Sequence, residues 1–210
     1  MKKALLILIY FLFVNVVSAA PIATLPEDFS IKPIKSYAAT ITNLHNKYVL
    51  GHLSIADIDD QVNYVYTDTQ SQQKITFTLE QHFGEANAFL FQIFDDNQTR
   101  IGKLAISDTS NMLFKGFELY GPDEDISQIL SRQANPLITE PSAIFSNNFK
   151  VYNYKNQILA TLSGRAGLLE IKLNKDNLAK ESFIVNNPQN TDLLLAIFAM
   201  QSLEFIQKTL

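Results

Sequence analysis

The chain offers three imidazoles, His45, His52 and His82, many carboxylates, and no cysteine. Without thiols there can be no disulfide, thiolate nucleophile or zinc-sulfur site. His45 and His52 stand seven apart around NKYVLG, with no carboxylate at ligand spacing, so both read as strand-surface residues rather than metal ligands. Ser163, in LSGRAG, lacks the glycine that precedes the serine of a nucleophile elbow and reads as the end of a strand. GRAG, residues 164–167, has the form of a nucleotide-clamping loop, but its neighbours read as strands in an acidic chain. Asp123, Glu124 and Asp125 lack the ligand spacing, glycine and terminal glutamate of a calcium loop and suit the positive end of a helix. NQT at Asn97 matches a glycan acceptor but reads as a hairpin turn. No catalytic residue, metal or cofactor is assigned, and the chain is expected not to be an enzyme, with a small hydrolase as the distant alternative.

Binding is the remaining chemistry. The formal charge of −4 becomes more negative if Lys2 and Lys3 are removed, which argues against nucleic acid as a partner. Charge is uneven, however. Acids dominate residues 50–148, with Asp57, Asp59 and Asp60 in one cluster, whereas residues 149–182 carry Lys150, Lys155, Arg165, Lys172, Lys175 and Lys180 against Glu170, Asp176 and Glu181. In LLEIKL, Lys172 alternates outward while Leu169, Ile171 and Leu173 point inward. Lys172 is expected near Arg165 and Lys175 on one face, where the three would meet an anionic lipid or membrane surface. The alternative partner is another protein, bound on an exposed sheet face through Tyr64, Tyr66, Tyr152 and Tyr154.

These residues sit on a chain that reads as mainly β. At the amino end two lysines, an apolar run over residues 4–14 and small residues at 17–19 form a secretory signal peptide, residues 1–19. The run is shorter than the roughly 20 residues of a membrane span, so the mature chain is expected to be exported, periplasmic or secreted, without a transmembrane span. Residues 20–35 read as a leader and residues 36–210 as one domain. KITFTLE shows the period of a half-buried strand, with Ile75, Phe77 and Leu79 on one face. Comparable runs recur between Asn, Asp, Gln and Gly clusters, ten to twelve in all. Two hairpins, FQIFDDNQTRIGKLAIS and FKVYNYKNQILATLSG, share an aromatic-x-aliphatic-aromatic opening, which suggests an internal duplication. Asn97 and Asn156 are placed where their turns need positive φ. Between the hairpins, GPDEDISQILSRQANP reads as one short outer helix.

The last segment needs enclosure. Asp192 starts a helix whose next eight residues, 193–200, are apolar around the full circumference; beyond them Gln201, Glu204 and Lys208 are expected to form an emerging polar face. The economical solution is a closed antiparallel barrel of about twelve strands wrapped around this C-terminal helix. SFIVNNPQNTDLLLAIFAMQSLEFI resembles the closing strand and buried helix of the tubby C-terminal-like superfamily, in particular its LURP-one-related and phospholipid-scramblase branches. The hairpins resemble the strand, Asp-x-x-Gly turn, strand unit of those proteins, with Asp95-Asp96-Asn97 matching best, and the likeness covers residues 88–208. It implies a twelve-stranded barrel around a central hydrophobic helix and, more loosely, lipid recognition.

Overall fold

The computed structural model describes residues 26–35, 37–58, 61–83, 88–107, 116–123, 138–141, 148–152, 155–165, 168–179 and 190–209. Signal peptide, outer helix and Tyr154 fall mostly or wholly outside this set. Among the described residues, twelve strands form one antiparallel sheet. They are β1 (Asp28–Lys35), β2 (Ala38–Asn43), β3 (Val49–Ile58), β4 (Gln61–Asp68), β5 (Lys74–Phe83), β6 (Ala88–Phe94), β7 (Arg100–Ser107), β8 (Gly116–Tyr120), β9 (Ile138–Pro141), β10 (Asn148–Tyr152), β11 (Ile158–Arg165) and β12 (Leu168–Leu173). Two helices follow, α1 (Lys175–Leu178) and α2 (Asn190–Thr209).

Each strand pairs with its neighbour in sequence, and β1 pairs with β12, so the ladder runs around in chain order. It breaks once. β8 and β9 lie beside each other without a hydrogen-bonded ladder, and the expected closed barrel is thus an open sheet by hydrogen bonding at that seam. These are short strands of five and four residues, with few backbone groups to share.

Alternation sets the inner face. Ile75 and Phe77 on β5, Phe91 and Ile93 on β6, and Leu169, Ile171 and Leu173 on β12 are all buried, as the sequence period required. The sheet curls about α2. Phe198 packs against Phe29 of β1, with ring centroids 6.2 Å apart, and against Phe117 of β8 at 6.3 Å, so one helical side chain reaches both the middle and an edge of the sheet. Helix residues 193–203 are buried on every side. That enclosure continues past the point where a polar face was expected: Gln201 and Ser202 are buried too, and Ser202 Oγ donates to the Phe198 carbonyl at 2.6 Å, which satisfies the hydroxyl within the helix.

Two local expectations are corrected. Residues 28–35, read as leader, form β1, which pairs with both β2 and β12. Pro33 is accommodated there by a register shift between Pro33 and Lys35. In the first hairpin turn the positive φ falls on Gln98, at 60°, not on Asn97, because Asp95 Oδ1 accepts from the backbone N–H of Asn97 and of Thr99 and draws the turn tight ahead of it. In the second hairpin Asn156 has the expected positive φ, 57°. The two hairpins also share a bulge near the end of the first strand, between Ile93 and Phe94 and between Val151 and Tyr152.

Candidate functional site

A groove with charged walls lies where the residues before β1 meet β11, β12 and α1. It is an open groove of about 500 Å3 lined by Glu27, Thr161, Lys172, Asn174, Lys175 and Asp176, with Ile158 and Leu173 at its apolar base. Volumes of about 300–1,000 Å3 are typical of small-ligand sites.

Backbone pairing builds both walls. Lys172 lies on the exposed face of β12, directly across from Thr161 on β11 and Asp28 on β1. Just before β1, the Glu27 carbonyl accepts from the Leu173 N–H at 2.8 Å, which fixes the other side of the groove. The Asn174 N–H donates to the Leu159 carbonyl at 2.8 Å, turning the chain out of β12. Asn174 then caps α1, its side-chain oxygen accepting from the Asn177 N–H at 3.1 Å. Asn177 Nδ2 donates to the Ile158 carbonyl at 2.9 Å and holds the short helix against β11. Lys175 and Asp176 are thereby presented at the rim. Inside the groove, Lys172 Nζ meets Glu27 Oε1 at 3.4 Å, with both side chains more than half exposed.

Of the three basic residues expected together, Lys172 and Lys175 share this groove. Arg165 pairs with Leu168 at the far end of β11, four residues beyond Thr161, which is about 13 Å along the strand; its side chain lies outside what the structure describes. Glu27 was not anticipated. Its approach depends on β1 pairing with β12, and no local pattern in the sequence carries that pairing.

A second polar region surrounds the amino end of α2. Asp192, in the first helical turn, lines a cavity of about 40 Å3 with Gln73 and Lys74 at the entry to β5 and with Asp95, Asp96 and Asn97 of the β6–β7 turn. Burial first, and the charge of Asp68 second, push the Asp192 carboxyl up to about 6. Nearby, burial pushes the Tyr66 hydroxyl well above its ordinary value, with Asp192 and Asp68 adding to the rise. Tyr66 is fully buried and Tyr64 packs edge-on against Phe91 at 6.0 Å, so neither belongs to an exposed tyrosine face; both alternate inward beside Ile75 and Phe77.

No family model, curated protein or solved structure matches this chain. Among the described residues, no three His, Asp or Glu side chains are grouped to hold a metal ion, and no helix is long and apolar enough to cross a membrane.

Proposed function

We propose that this chain is an exported, non-catalytic β protein that binds lipid headgroups or an anionic membrane surface through its basic residues after Phe149. The observation that carries this reading is the placement of Lys172 and Lys175 on one groove of headgroup size. The serial twelve-stranded sheet around an all-round apolar terminal helix supports membership in the tubby-like superfamily, with a barrel completed at the β8–β9 seam, and that family's lipid-binding branches support the ligand class. Export rests on the signal-peptide pattern of residues 1–19.

Flotation with anionic and neutral vesicles tests the reading. Wild-type protein should prefer anionic vesicles and lose them as salt rises, since exposed charges are screened over roughly 10 Å at 0.1 M. Replacing Arg165, Lys172 and Lys175 together by Glu should abolish the preference. Equal flotation of wild type and the triple variant would remove the proposal. A protein-interaction role is the second reading, favoured by Ile34 near the end of β1, Tyr37 just before β2 and Val62 near the start of β4, each about half exposed at one end of the sheet. Mixed alanine replacement of these three would then weaken capture of a protein partner and leave flotation unchanged.

A further inference from the structure

We infer that the groove between β1, β12 and α1 takes a phosphoryl headgroup that also carries a primary ammonium, with the phosphate against Lys172 and Lys175 and the ammonium against Glu27 and Asp176. This rests on the lipid-headgroup reading above and narrows it to a ligand class.

The argument is one of charge balance in a fixed frame. The groove is lined by two cations and two anions, so its described walls have no net charge. A ligand that is only anionic would satisfy the lysines and leave Glu27 and Asp176 facing like charge. A ligand with both signs satisfies all four. Lys172 and Glu27 are already 3.4 Å apart, which places a cation site and an anion site within the span of one headgroup. Their mutual pair is easily opened, because the side chains are 63% and 55% exposed and an exposed pair contributes little. The backbone bonds from Leu173 to Glu27 and from Asn174 to Leu159 hold the two walls in place while the side chains exchange partners. Thr161, across from Lys172 on β11, adds a hydroxyl that can donate to phosphate. The amine's substitution decides the selectivity. A primary ammonium has three N–H donors for carboxylates, whereas a trimethylammonium has none.

The experiment compares mature protein on vesicles of phosphatidylcholine alone and of phosphatidylcholine mixed with an equal mole fraction of either phosphatidylethanolamine or phosphatidylglycerol. The ethanolamine vesicles should bind about five-fold more protein than phosphatidylcholine alone, the equivalent of about 1 kcal/mol. Glu27→Gln with Asp176→Asn should erase that difference while binding to phosphatidylglycerol persists. A second variant, Glu27→Lys, should shift binding from ethanolamine to glycerol vesicles. Free glycerophosphoethanolamine distinguishes the source: competition by it at low concentration assigns a soluble phosphoamine, and competition only at high concentration assigns the membrane headgroup. Equal binding to ethanolamine and choline vesicles, or a preference that survives the double variant, would overturn the inference. Loss of phosphatidylglycerol binding alone would overturn the anionic-surface reading and leave this one standing.

Discussion

The ring of Tyr66 occupies the space that a side chain on Gly51 would need. A β-carbon built on Gly51 would stand 2.5 Å from a ring carbon of Tyr66 and 2.6 Å from its hydroxyl oxygen, far inside contact distance. The two residues lie on adjacent strands, Gly51 opposite Asp68 and Tyr66 opposite Leu53, so the ring leans along the ladder toward the Gly51–Asp68 pair. Tyr66 is fully buried and cannot swing into solvent. Gly51→Ala should therefore destabilise the protein by about 1–3 kcal/mol, as overpacking of a filled core does. Denaturant unfolding of Gly51→Ala alone and combined with Tyr66→Leu checks this: the smaller side chain should recover part of the loss, and strictly additive effects would show that the ring is not the obstacle.

Tyr66 Oη finds no hydrogen-bond partner among the described residues, although it is shielded from water. Leaving a buried hydroxyl unpaired costs about 1–3 kcal/mol. Tyr66→Phe retains the ring over Gly51 and removes the unpaired group, so it should raise the unfolding midpoint. A lower midpoint would mean that the hydroxyl is satisfied by water.

Phe198 bridges Phe29 and Phe117 across the interior, and its loss should be felt by both sides of the sheet. Phe198→Ala should cost about 3–5 kcal/mol, and Phe198→Leu substantially less because most of the volume remains. Thermal unfolding followed by circular dichroism is sufficient to rank them. If alanine were tolerated within about 0.5 kcal/mol, the helix would not be the filling that the sheet requires.

The parts legible in the sequence were those with an uninterrupted local period. β5 and β12 were readable because aliphatic and polar residues alternate in KITFTLE and LLEIKL, and α2 because apolar residues cover every side of residues 193–200. β1 was obscured by Pro33, whose missing N–H argues against a strand until a bulge supplies the exception. In β4, alternation puts Tyr64 and Tyr66 on one face without saying which face is inside; the answer lies in Gly51, a residue on another strand that vacates the space. Lys172 and Lys175 could be joined from their short separation, whereas Glu27 reaches the groove through a long-range ladder that no local rule encodes.

Asp192 makes stability depend on pH with the opposite slope from a salt-bridged carboxylate. Its folded pKa is raised from 3.8 to about 6, by burial first and by Asp68 second, while Asp95 and Asp96 in the turn facing it add no countercharge and Lys74 is the one cation among the described lining residues. Between those two values the folded state binds more protons than the unfolded chain, so stability is full below about pH 4 and falls as pH rises through about 6. The unscreened equivalent of the shift is about 3 kcal/mol. Asp192 keeps some solvent contact, and screening reduces the expected loss to about 1–2 kcal/mol. Asp192→Asn removes the charge that burial penalises and also the carboxylate that favours the helix's positive end, the latter contributing about 0.3–1 kcal/mol. The variant should match wild type near pH 4, exceed it by about 1 kcal/mol near pH 7, and show a flatter profile between. Urea unfolding at a series of pH values measures this, and a variant profile with the wild-type slope would assign the pH dependence to other groups.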